Sequence, residues 1–140
     1  MDPFTLGSAP PRPPSPPHYY GDTVRALFLL AGVVVLLASP LDEDIIPYGW
    51  SAAIPIALIV VLLAGMTSPR QRFVMAANAA VSAAGLAFFE YAAFATYRGG
   101  GELLGIVFVS QQLLALIFFF ALYYASKTLR GRVTARTPLQ

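Results

Sequence analysis

FVMAANAAVSAAGLAFFEYAAFATY, residues 73–97, is an apolar run whose single charge is Glu90. As a helix rising about 1.5 Å per residue it would extend about 37 Å, more than the roughly 30 Å hydrocarbon core of a bilayer. Working outward, three further apolar stretches cover 24–41, 45–66 and 103–124. A soluble domain of 140 residues cannot bury that much continuous apolar surface. The pattern predicts an all-α, polytopic integral membrane protein: four transmembrane helices in an antiparallel bundle over 23–126. A proline-rich tail without a core precedes it over 1–22, and a basic tail follows over 127–140.

Composition agrees. Hydrophobic residues make up 57% of the chain and charged residues 11%, against about 25% charged in soluble domains. Without cysteine, disulfides and thiolate chemistry are excluded. His18, the one histidine, lies in the proline-rich tail, which excludes a histidine-based metal site among the spans. No metal and no cofactor is therefore expected. The chain contains no GxSxG, HExxH or phosphate-loop motif, so a non-enzymatic protein is expected. Its scattered positive charges are too few for nucleic acid, and the partners expected are the lipid bilayer and either a second copy or another membrane protein. The first apolar stretch starts behind the proline-rich tail instead of a short basic region, which marks it as a retained span.

Basic residues orient the bundle, because Lys and Arg collect in cytoplasmic loops. Arg70 and Arg72 separate the second and third stretches, Arg12 and Arg25 precede or open the first, and Lys127, Arg130, Arg132 and Arg136 follow the fourth. Arg98 alone falls on the other side. The reading is a multi-pass protein of the cell membrane with both termini cytoplasmic. The acidic loop Asp42-Glu43-Asp44 then faces outward.

Individual residues suggest how the spans end and pack. Asp22-Thr23 offers an N-cap for the first span, and Pro55 inside the second implies a kink that frees the Ser51 carbonyl. Tyr48, Trp50, Tyr97, Tyr123 and Tyr124 sit at span edges, where amphipathic rings anchor to the bilayer interface. The third span is rich in small residues, so Ala76, Ala80, Ala83, Ala84 and Gly85 are candidate close-packing positions, which makes it the expected central helix. Asn78 lies about 120° around the helix from Glu90 and is assigned a separate packing contact.

The remaining candidate for chemistry is Glu90. An acid within a span costs about 2.5–3.5 kcal/mol on insertion scales and tends to face the bundle interior. Folding the hairpin about residue 100 sets Glu90 level with Ser110, beside Gln111 and Gln112, and the same depth in the second span falls near Ser51 and Pro55. These six residues form a predicted intramembrane polar layer, a candidate proton or ligand site. Two readings follow. One is a structural or accessory protein acting through helix-mediated interaction, with Glu90 as interhelical glue. The other is an oligomeric proton-coupled carrier or channel for small solutes or cations that uses Glu90.

Overall fold

The computed structural model describes residues 19–41, 44–46, 48–67 and 72–134, with side chains described as far as residue 131. The proline-rich tail over 1–18, the acidic Asp42 and Glu43, Pro47, Ser68, Pro69, Arg70, Gln71 and the chain from 135 on, Arg136 included, lie outside the described residues. The described chain is all-helical, with α1 at Gly21–Ala38, α2 at Trp50–Met66, α3 at Arg72–Arg98 and α4 at Ile106–Thr134. By length and composition α1, α3 and α4 can each cross a membrane, and α2 is shorter at 17 residues.

Three boundaries differ from the sequence reading. Helix α1 starts at Gly21 with Tyr20 as its N-cap, ahead of the expected Asp22-Thr23 cap. Tyr20 is held from across the bundle: its backbone N–H donates to Thr128 Oγ1 at 3.2 Å, and its ring lies 5.4 Å from that of Tyr124. Asp22 falls in the first turn, where a carboxylate complements the positive end of the helix. Helix α2 starts at Trp50 instead of 45 because Tyr48 and Gly49 have φ of 71° and 55°. Left-handed backbone cannot continue a right-handed helix, and for Tyr48 it is costly. Helix α4 starts later and ends later than 103–124, since Glu102 to Gly105 is a turn closed by Gly105 N–H on the Glu102 carbonyl. The helix therefore carries Lys127 and Arg130 on its last turns.

The helices adjoin in the order α2, α1, α4, α3, while α2 and α3 touch only sparsely. The central helices are thus α1 and α4. The expectation of a central α3 is corrected: it packs chiefly on α4, and Ala76, Ala80, Ala83 and Ala84 are exposed. Contacts run in opposite senses along neighbours. Thr96 meets Gln111 while Gly85 meets Phe118, and Tyr20 meets Thr128 while Phe28 meets Phe118. Val24, Met75 and Ala125 join the start of α1, the start of α3 and the end of α4 in one small apolar cluster.

Phe118 is the hub of the core. Its ring stacks on Phe89 at 5.8 Å and 12° and lies 6.3 Å from Phe28. On α3, Gly85 makes room for it, since a Cβ there would come within 2.7 Å of the ring. Gly32 similarly lets α1 approach α2, where a Cβ would sit 3.2 Å from Val61. Both glycines let neighbouring helices approach more closely than a larger residue would allow.

Candidate functional site

The strongest polar feature joins the α1–α2 loop to the α3–α4 hairpin. Ile45 and Ile46 are fully buried although they lie outside any helix. Buried irregular backbone leaves carbonyls without a ladder, and each must find a partner. Gln111 supplies them. Only 1% exposed, it donates from Nε2 to the Asp44 carbonyl at 3.0 Å and to the Ile45 carbonyl at 3.4 Å. Its Oε1 accepts from the Thr96 hydroxyl at 2.9 Å, so both ends of the amide are engaged. Gln111 is a clamp between α4, α3 and the α1–α2 loop.

The predicted polar layer is therefore not a single layer. Glu90 is exposed and not turned into the bundle. It accepts a long bond from Gln112 Nε2 at 3.4 Å. Gln111 and Gln112 differ by about 100° around α4, so one enters the bundle and the other turns toward Glu90. The hairpin pivots later than residue 100 because α4 begins only at Ile106, which sets Glu90 opposite Gln112 instead of the half-buried Ser110. Ser51 and Pro55 are exposed, and the Ser51 hydroxyl donates back to the Tyr48 carbonyl at 2.7 Å. Among the described residues, no hydrogen bond links either of them to Glu90 or Gln111. Thr96 and the two loop carbonyls went unrecognised in the sequence. A threonine two residues from a helix end carries no signal of its partner.

Above the clamp, a cleft of about 770 Å³ opens between the α1–α2 loop, the end of α3 and the start of α4. Gln111 and Thr96 belong to its wall, and Tyr48, Tyr91, Phe88 and Phe108 surround it with rings. Among the described residues, its acids are Asp44 and Glu102, and neither Lys nor Arg lines it. Below it, the gap between α2 and α3 is an apolar groove of about 410 Å³, in which Ile56, Ile59 and Val60 face Val81, Ala84 and Gly85. Phe88 lines both spaces.

At the opposite end, Asn78 is buried and donates from Nδ2 to Thr67 Oγ1 at 2.9 Å, tying α3 to the end of α2. Among the described residues, its Oδ1 and the nearby Ser82 hydroxyl have no hydrogen-bond partner. Lys127 Nζ sits 4.7 Å from the Tyr20 ring and 5.7 Å from that of Tyr123. Tyr48, Trp50 and Tyr97 are exposed near helix ends. Tyr123, exposed, and Tyr124, half-buried against Tyr20, lie about three turns inside α4 and not at its edge as expected, because the helix continues to Thr134. Among the described residues, no group of three or more metal-ligating side chains occurs. No protein-family model, no curated protein and no solved structure matches the chain.

Proposed function

We propose that the chain is a multi-pass protein of the cell membrane, an antiparallel bundle of four spans with both ends cytoplasmic. Its role is non-enzymatic and depends on helix-mediated association with a second copy through α3. Two features support the membrane reading. Three helices have the length and apolarity to cross a bilayer. The fourth, α2, is about 25 Å long and is preceded by the buried irregular segment at Ile45 and Ile46, a kind of backbone tolerated at membrane depth only when protein satisfies it. Gln111 does so. Arg25, Arg72, Lys127 and Arg130 belong to one end of the bundle, and Asp44 and Glu102 to the other, which supports the orientation.

The observation that carries the association reading is a second seam on α3. Phe73, Ala76, Ala80, Ala83, Ala87, Glu90, Phe94 and Tyr97 recur at alternating steps of three and four, and all are exposed. That spacing is the period of a left-handed helix–helix seam. Small residues occupy its middle, where two backbones would approach most closely, and Glu90 lies on it. An acid facing lipid is costly, whereas beside a second copy it meets a polar partner, its own Gln112 already being at hand. The same placement weighs against a pathway through a single copy, which would need Glu90 inside the bundle; an oligomeric carrier would have to place Glu90 between copies.

The test exploits the absence of cysteine. Single Ala83→Cys and Ala87→Cys chains should cross-link between copies in native membranes, and Leu62→Cys on the exposed face of α2 should not. Ala83→Leu should abolish cross-linking at position 87 while leaving the monomer folded. Equal cross-linking at all three positions would remove the α3 seam from the account.

A further inference from the structure

The geometry points to a binding site for an amphiphilic organic cation, with its head in the acidic aromatic cleft and its apolar tail in the α2–α3 groove. Four observations converge on it. The cleft is lined by the acidic residues Asp44 and Glu102 and, among the described residues, by no basic side chain, so its net charge favours a cation over an anionic head at close range. Tyr48, Tyr91, Phe88 and Phe108 line the same volume. Rings together with carboxylates suit a quaternary or alkylated ammonium better than a hard inorganic ion, because the weakly hydrated head gives up little water and gains from each ring face.

The floor is polar but already engaged: Gln111 is bonded at both ends of its amide. The head must therefore be held by charge and rings, not by donation to that amide. Phe88 lines both cleft and groove, so the two adjoin, and the proposal takes them as head and tail sites in succession from the acidic end toward the bundle's middle. The groove is almost wholly apolar in its lining, from Ile56 and Ile59 to Val81 and Ala84, as an alkyl chain requires. This inference rests on the membrane reading for the direction in which the groove opens, and not on association through α3.

The probe is radiolabelled dodecyltrimethylammonium, measured at equilibrium on the full chain in neutral-lipid nanodiscs, with empty discs subtracted. The site predicts saturable binding. Unlabelled probe should compete best, tetramethylammonium about tenfold or more weakly because it forgoes the groove, and dodecyl sulfate not at all. Raising ionic strength from about 0.05 M to about 0.5 M should weaken binding several-fold. The double change Asp44→Asn with Glu102→Gln should lower affinity about tenfold. Ala84→Phe, which fills the groove from an exposed position, should reduce the advantage of the dodecyl chain over tetramethylammonium. Non-saturable partitioning, or equal competition by dodecyl sulfate, overturns the proposal on the wild-type chain alone, whether or not a variant folds. A chain that does not enter discs but shows the same competition in nonionic micelles would keep the site and overturn the membrane reading instead.

Discussion

Replacing Gln111 by Leu preserves bulk but deletes the clamp, and its cost can be worked from the structure. The change orphans the carbonyls of Asp44 and Ile45 and leaves the Thr96 hydroxyl without its acceptor. A buried group left without a partner costs about 1–3 kcal/mol, although interhelical bonds in membrane proteins average nearer 0.6 kcal/mol. The Asp44 bond at 3.0 Å should count fully and the Ile45 bond at 3.4 Å less. The sum is about 2–3 kcal/mol, a factor of roughly 30 to 150 in the unfolding equilibrium. Reversible unfolding in mixed micelles with increasing dodecyl sulfate, followed by helical circular dichroism, reads this directly. Gln112→Leu is the internal control: Gln112 is only half-buried and makes one long bond to Glu90, so its loss should stay within about 0.5 kcal/mol. A double-mutant cycle with Thr96→Val should give a coupling of about 0.6–1.7 kcal/mol. Equal effects of Gln111→Leu and Gln112→Leu, or a neutral Gln111→Leu, would refute the clamp.

Other substitutions probe separate parts of the bundle. Gly85→Ala drives a Cβ to within 2.7 Å of the Phe118 ring and should destabilise by about 1–3 kcal/mol in the same unfolding assay, since rings stacked on Phe89 have little freedom to retreat. Ser82→Ala should be neutral or stabilising by up to about 1 kcal/mol, because it removes a buried hydroxyl that has no partner. Glu90→Gln should leave monomer stability unchanged within about 0.5 kcal/mol, its carboxylate being exposed. Cross-linking at position 87 then reports whether the amide still supports association.

The positions of α1, α3 and α4 were legible in the sequence because continuous apolar length is a strong signal. The start of α2 was not: Tyr48 is a residue for which left-handed backbone is uncommon, and Gly49 beside it did not reveal where the helix would begin. Nor was the order of neighbours. When both solvent and core are apolar, the helix faces no longer differ in hydrophobicity, so the small residues of α3 suggested a central helix that the packing does not bear out. Gly85 serves the contact with Phe118, while the alanines at 76, 80 and 83 are exposed and Ala84 lines the groove toward α2. Hairpin counting brought the right neighbourhood together but could not separate Gln111 from Gln112, which are adjacent in sequence and opposite in role. The partners of Gln111 are main-chain carbonyls of a distant loop, and side-chain patterns carry no record of those.

The central claim, four spans with a basic end inside and an acidic end outside, is tested most directly by the accessibility of unique thiols. The chain has no cysteine, so Asp44→Cys, Glu102→Cys, Arg72→Cys and Arg130→Cys each create a single reporter. With a membrane-impermeant maleimide on intact cells, positions 44 and 102 should label at once, and positions 72 and 130 only after permeabilisation. Labelling of all four from the same side, or of 44 and 102 from opposite sides, would contradict the account.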